Sequence, residues 1–335
     1  MSDISVKTCP SCSGRLVFHP ESNQMKCDFC GSFHPVEAAS SKIPYEKTCR
    51  MEDAFVQELA ECTCQSCGAA VCAQNAVISL GCPYCGNPLL ISSRVSNRFK
   101  PDGIIPFAFS SDEAMRLFRN YTKKLWFVPK ALKQNVKTDD FRSMYAPFFL
   151  FDFDVNGEVG KNEQMGKMEI NKLPIDASTN FPDDLMDTIS PYDYQKMRPF
   201  SSDFLRGFLS EIYNENSESF MPRAKQMVQE TFDSHVFLQL NKMPGKAKTE
   251  MSLKTRQVNY VLLPVYLFSV VDFGKRYFFA VNGQTGKVAG NLPYKKQLKR
   301  MSKIMALIAW LIFGLPLLGA AAFILLGTIL GWQYS

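Results

Sequence analysis

The segments 144–155 (MYAPFFLFDFDV) and 260–271 (YVLLPVYLFSVV) decide the fold. Both are dense in aromatic and β-branched residues, which suit a pleated surface, and both predict strands; RYFFAVN at 276–282 predicts a third. PFFLF at 147–151 parallels PVYLF at 264–268, a likeness that fits a duplicated β unit and fits chance equally well. Around these strands the pattern turns helical. Ser110 followed by Glu113 has capping-box spacing, and Ala114, Leu117, Phe118, Tyr121 and Leu125 recur on one helix face. Leu205, Phe208, Leu209 and Ile212 predict a second amphipathic stripe, and Pro222 opens a third with Ala224, Met227, Val228 and Phe232. Residues 98–294 therefore read as one α+β body.

Upstream of the body the chain is punctuated by cysteine. Cys9-Pro-Ser-Cys12 with Cys27-Asp-Phe-Cys30-Gly31 forms one quartet, and Cys64-Gln-Ser-Cys67-Gly68 with Cys82-Pro-Tyr-Cys85-Gly86 forms another. Each reads C-x2-C-x14-C-x2-C, and the two are offset by 55 residues. Two residues between thiolates let one tight turn offer both sulfurs to one ion, and the glycine after a knuckle accepts a positive φ. The first thirty residues hold no apolar run, so no secretory signal is expected, and thiols in the cytoplasm stay reduced. The spacing predicts two structural Zn²⁺ ions in zinc ribbons over 1–38 and 60–92, joined by a linker over 39–59. Iron is the rival metal, because Cys-Pro-Tyr-Cys-Gly is also rubredoxin-like. Four thiolates fill a tetrahedral shell, which favours folding over catalysis. Cys49, Cys62 and Cys72 are left over; Cys62 and Cys72 flank the second site and are expected to pack as small apolar residues, with spare ligation as the alternative, and His19 and His34 are expected as surface or packing residues beside the first site.

Downstream, Lys295, Lys296, Lys299, Arg300 and Lys303 form a basic collar over 295–303, followed by an uncharged apolar run over 304–332. As a helix that run would measure about 43 Å against a hydrocarbon core of about 30 Å. One tilted or kinked transmembrane anchor is expected, with a re-entrant hairpin about Pro316 as the alternative. The positive-inside rule keeps the collar, and with it the N-terminal body, in the cytoplasm, with the collar against anionic lipid of the cytoplasmic membrane. Gly327 and Gly331 have a spacing that lets two tails pack closely, a route to a homo-oligomer.

With 335 residues, 46% hydrophobic and 21% charged, the chain is no disordered, collagen-like or small disulfide-scaffold protein. Its net charge of +6 suggests nucleic acid at first sight, but five of those charges are the collar. Each Zn²⁺ bound by four thiolates adds a formal −2, so the loaded body is slightly acidic. Between Cys62 and Ser92 there is no charged residue, and in the first ribbon Arg15 and Lys26 are balanced by Glu21 and Asp28. Both ribbons therefore suit protein contact better than phosphate.

Two motifs tempt and fail. Asp152, Asp154, Asn156, Gly157 and Glu163 match a calcium loop, but they follow a strand rather than a helix, and the strand reading has them entering an Asn-Gly turn. GQTGK at 283–287 lacks the first Gly and the final Ser or Thr of a phosphate loop and reads as turns before another strand. No catalytic constellation stands out, and no enzyme is expected.

The segments LPIDAS (173–178), PYDY (191–194), PFSSDFLRGFL (199–209), MPRAK (221–225), YVLLPVYLF (260–268) and FAVNGQTGKVAGNLP (279–293), set between two ribbons and a basic collar with an apolar tail, resemble the bacterial YdjG-like family of TFIIB-type zinc-ribbon-containing membrane proteins. The resemblance covers nearly the whole chain and carries the zinc-ligand role to the eight knuckle cysteines. It implies genes encoded beside flotillin-like SPFH-domain proteins and phage-shock-type membrane-stress proteins. The function expected from it is a membrane-anchored adaptor that holds a cytosolic SPFH partner at the bilayer in membrane stress. The alternative is a membrane-tethered nucleic-acid binder in replication or transcription.

Overall fold

The computed structural model describes residues 8–37, 60–63, 70–73, 77–81, 88–90, 101–124, 142–159, 164–178, 182–211, 213, 217–240, 249–272 and 275–290, with Met305 and Trp310. Cys49, the linker, the second quartet (Cys64, Cys67, Cys82 and Cys85), the collar (Lys295, Lys296, Lys299, Arg300 and Lys303) and, apart from Met305 and Trp310, the apolar run over 304–332 lie outside them. Among the described residues no helix is long and apolar enough to cross a membrane.

The architecture is α+β. At the N-terminus, β1 (Leu16–His19), β2 (Gln24–Cys27) and β3 (Phe33–His34) make a three-stranded antiparallel sheet. Next come β4 (Ala60–Thr63) and β5 (Ala70–Ala73), which pair with each other, then β6 (Val77–Gly81) and β7 (Pro88–Leu90). The body contributes β8 (Gly103–Ile104), α1 (Ser111–Lys123), β9 (Arg142–Val159), β10 (Gln164–Asp176), α2 (Asp183–Ile189), β11 (Arg198–Pro199), β12 (Leu209–Glu211), α3 (Met221–Leu240), β13 (Thr249–Asp272), β14 (Lys275–Asn282) and β15 (Val288–Gly290). Strands β6 to β15 form one sheet, in which β6 pairs with β12 of the body through Ser79↔Ser210 and Val77↔Glu211.

The two deciding segments are the centre of this sheet. They lie antiparallel in β9 and β13, in register from Arg142↔Leu267 to Val159↔Thr249. Their run of apolar residues follows from burial on both faces. On one face Tyr145, Phe149, Phe151 and Phe153 meet Tyr260, Leu262, Tyr266 and Phe268, covered by Ala114 and Phe118 of α1 and Ala224, Val228 and Phe232 of α3. On the other, Met144, Ala146, Phe148 and Leu150 meet Val261, Leu263, Val265 and Leu267, covered by Leu185, Met186 and Ile189 of α2. Each fully buried Phe of this kind contributes about 1.5–3 kcal/mol. Past Phe151 the second face turns polar. Asp152 accepts from the Lys172 amide at 2.6 Å, and Asp154 pairs with Arg256 at 3.0 Å. Those partners sit on bulges in β10 and β13, so the Asp152 and Asp154 carboxylates of the calcium-like motif are held by neighbouring strands, while Glu163 lies outside the described residues.

Three local expectations are corrected. The strand does not enter a turn at Asn156-Gly157; Gly157 faces Gly166 on one side and Met251 on the other, and ladders on both flanks carry the chain on to Val159. Ser110 stands at the N-cap of α1 without a side-chain bond to the helix, and Glu113 is taken by Arg116 Nε at 2.7 Å, so the capping box does not form. The stripe from Leu205 to Leu209 is not a helix. A short 3-10 turn over Ser202–Leu205 is capped at Arg206, Gly207 follows with a left-handed φ of +91°, and Leu209–Glu211 is strand; Ile212 lies outside the described residues. Phe208 turns instead to stack on Phe107, with centroids 4.5 Å apart.

Polar groups buried in the body tie its segments together. Asn282 is fully buried; its Nδ2 donates to the Ile189 and Pro191 carbonyls at 3.0 and 3.3 Å, and its Oδ1 accepts from the Gln284 and Thr285 amides at 2.9 Å each. Gln284 bonds both the amide and the carbonyl of Asp193, and Lys287 Nζ donates to the Ser190 carbonyl. The turn reading of GQTGK is thereby borne out, with β14 and β15 antiparallel on its two sides. Asn282→Ala would strand two carbonyls and two amides, and a loss of about 2–4 kcal/mol is expected in urea denaturation. A cost under 1 kcal/mol would contradict this account.

Asp176, at the end of β10, is wholly buried. Its Oδ1 accepts from the Ser178 amide at 3.2 Å, and among the described residues Oδ2 has no partner. Burial pushes the carboxyl up to about 8; the Ser178 bond opposes this, the Asp183 and Glu211 carboxylates add to it, and Arg223 opposes it. Arg223 is itself held by Asp183 at 3.1 Å and Asp187 at 2.7 Å.

Candidate metal centre

Cys9, Cys12, Cys27 and Cys30 converge as the spacing predicts. The backbone makes the two knuckles: the Ser13 amide returns to the Cys9 carbonyl at 2.8 Å, and the Gly31 amide to the Cys27 carbonyl at 3.0 Å. The positive φ falls at Ser13 (58°) and Gly31 (73°), so glycine fills that place in the second knuckle and serine bears it in the first. All four sulfurs lie within 4.8 Å of one another, with Cys9–Cys30 at 3.7 Å and Cys12–Cys27 at 3.5 Å. A metal–sulfur bond of about 2.3 Å gives a tetrahedral edge of about 3.8 Å, so the cluster has the size of a four-thiolate shell. Gly14 closes over it: a Cβ there would come 3.0 Å from Cys27 Sγ, 3.1 Å from Cys12 Sγ and 2.8 Å from Phe29 Cβ.

Before a metal enters, the thiols differ in acidity. The Ser32 hydroxyl draws Cys9 down to about 5 and holds Cys30 below the ordinary range. The Gly14 amide pulls Cys12 down too, but burial and the neighbouring sulfurs of Cys30, Cys27 and Cys9 outweigh it and push Cys12 up to about 12. Four thiolates so close repel one another until a cation enters, and a divalent ion offsets half their charge.

The ribbon is seated on the body. Cys9, Leu16, Phe18, Met25 and Cys27 belong to the same buried cluster as Phe107, Phe204 and Tyr266. Phe18 meets Phe204 edge-on at 5.1 Å, its amide donates to the Arg206 carbonyl at 3.0 Å, and the Glu37 amide donates to Asp203 Oδ2 at 3.0 Å. Asp203 and Arg206 form a buried pair, Oδ1 to Nε at 3.4 Å. The segment PFSSDFLRGFL is thus where the first ribbon lands. Residues the spacing alone does not single out are Ser32 and His34, which bond the cysteine sulfurs; the alternation Cys30, Ser32, His34 into β3 is the signal that places them on one side.

The described fold and site define an α+β protein with an N-terminal four-cysteine centre built onto its sheet. The chain is similar to the uncharacterized protein YdjG of Bacillus subtilis (strain 168), with 29% identity over 318 residues, 88% of this chain and 91% of that one, and is in this sense YdjG-like. No family model matches the chain, and no solved structure does.

Proposed function

We propose that this chain is a membrane-anchored, cytosol-facing zinc-ribbon adaptor. Zn²⁺ occupies the Cys9, Cys12, Cys27, Cys30 shell and a second shell of Cys64, Cys67, Cys82 and Cys85, with no enzymatic role for either. The apolar run over 304–332 spans the cytoplasmic membrane once, and the collar rests on anionic lipid. The partner held there is a flotillin-like SPFH protein, in membrane-stress handling.

The observation that supports this reading is the closed four-sulfur cluster on a ribbon fastened to the body. Such a centre has no open position for substrate or water, so its metal serves to build a surface. On that surface Phe29 is 84% exposed and Phe33 47%, at the tip of the second knuckle and on β3. Exposed aromatics beside a rigid knuckle suit a protein contact. The test is cross-linking of the full-length protein in native membranes, followed by mass spectrometry. An SPFH protein among the cross-linked species is expected, and its absence counts against the partner. Retention on DNA, with a steep salt dependence, of the chain lacking both collar and tail would favour the nucleic-acid alternative instead.

A further inference from the structure

Ser32 Oγ lies 3.0 Å from Cys30 Sγ and 3.4 Å from Cys9 Sγ, and His34 Nε2 lies 2.9 Å from Ser32 Oγ and 3.4 Å from Cys9 Sγ. A metal-bound thiolate has no proton and only accepts hydrogen bonds. For the 3.0 Å Ser32–Cys30 contact to be a hydrogen bond in the loaded shell, the single hydroxyl proton of Ser32 has to point at Cys30 Sγ. With that proton committed, Ser32 Oγ is left as an acceptor, so His34 Nε2 carries the ring proton and donates to it. With the proton placed there, the order of donation runs His34 Nε2–H to Ser32 Oγ–H to Cys30 Sγ, with Cys9 within reach of both donors. Cys30 is also the exposed member of the four, whereas Cys9 and Cys27 are buried. The relay thus meets the cluster on the side open to solvent, where a chelator or an alkylating reagent must attack.

We infer that His34 and Ser32 are positioning residues that hold Cys30 on the metal and disperse the −2 charge of the filled shell, so that they govern how long the ion is retained. The inference rests on the reading of the four cysteines as a metal shell. Partners of this kind typically change metal affinity by 10–100-fold.

The test uses the zinc-loaded full-length protein, treated with iodoacetamide in the presence of a chelator, with alkylation of Cys9, Cys12, Cys27 and Cys30 followed by mass spectrometry. That readout separates this site from the second quartet. Ser32→Ala and His34→Phe are expected to speed Cys30 alkylation by about 10–100-fold. His34→Gln, whose amide donates from nearly the position of Nε2, is expected to restore a rate within about threefold of the wild type. Rates within threefold of wild type for both Ser32→Ala and His34→Phe, or a His34→Gln as fast as His34→Phe, would overturn the relay. If zinc does not slow alkylation of the wild type at all, it is the metal reading that fails.

Discussion

Asp176→Asn is expected to flatten the dependence of stability on pH and to make the protein more stable than the wild type in alkaline solution. In the unfolded chain the Asp176 carboxyl loses its proton near the ordinary value of 3.8, whereas in the folded chain burial holds the proton up to about 8. Between those values the native state binds a proton that the unfolded state does not, so stability falls as pH rises, by about 1.4 kcal/mol per unit at most, and levels off above about 8. The penalty accumulated at the top of the window is of order several kcal/mol. Asparagine keeps an acceptor for the Ser178 amide and never ionises. Urea denaturation at pH 5, 7 and 9 with saturating zinc measures the difference, since other titrations are common to both proteins. The difference between the two should shift steadily in favour of the variant from pH 5 to about pH 8 and stay constant to pH 9. Parallel profiles would mean that Asp176 is ionised in the native protein at neutral pH.

The second large effect belongs to the seat of the ribbon. Asp203→Ala removes the carboxylate that faces Arg206 and accepts from the Glu37 amide, while Arg206 is itself buried, only 5% exposed. Removing one member of a buried ion pair costs about 3–5 kcal/mol, most of it the desolvation of the charge left behind. Replacing both members with apolar groups is often close to neutral, so Asp203→Ala combined with Arg206→Met should recover much of the loss. Hydrogen exchange adds a local readout. In Asp203→Ala the Glu37 amide should exchange faster, whereas the Phe18 amide, which bonds a main-chain carbonyl, should change less. A single variant within 1 kcal/mol of wild type, or a double variant no better than the single, would remove the pair from the account.

These two sites mark where the sequence is readable and where it is not. The Cys9 to Cys30 quartet is legible because metal ligation demands fixed short spacings, and the spacing alone brings the four sulfurs together. The strands are legible because PFFLF and PVYLF have no polar alternation, as burial on both faces requires. Helices α1 and α3 follow from apolar spacing. By contrast, Leu205, Phe208 and Leu209 have helical spacing but answer to three different neighbours. Phe208 packs between Phe107 and Phe18, Leu209 joins a strand, and Gly207 releases the chain from the turn. The failed capping box has the same origin, since Glu113 finds a stronger attraction in a guanidinium one turn away than in the helix terminus. Asp176 and Asp203 are ordinary acidic letters until distant segments close over them. Their partners Ser178 and Arg206 are local, but the burial that makes those contacts matter, and the Glu37 amide on Asp203, come from across the chain, which no local pattern encodes.

The pairing of β6 with β12 has a bearing on how this protein can be divided. Composition separates a cysteine-rich segment over 60–92 from the body, yet one of its strands contributes hydrogen bonds to the body's own sheet. A fragment that begins at residue 98 would leave Ser210 and Glu211 on a bare edge, with main-chain donors and acceptors open to any passing strand, and would tend to self-associate. The cysteine pattern repeats along this chain without leaving a clean seam after its second copy, so the smallest fragment that keeps this ladder intact starts before Val77.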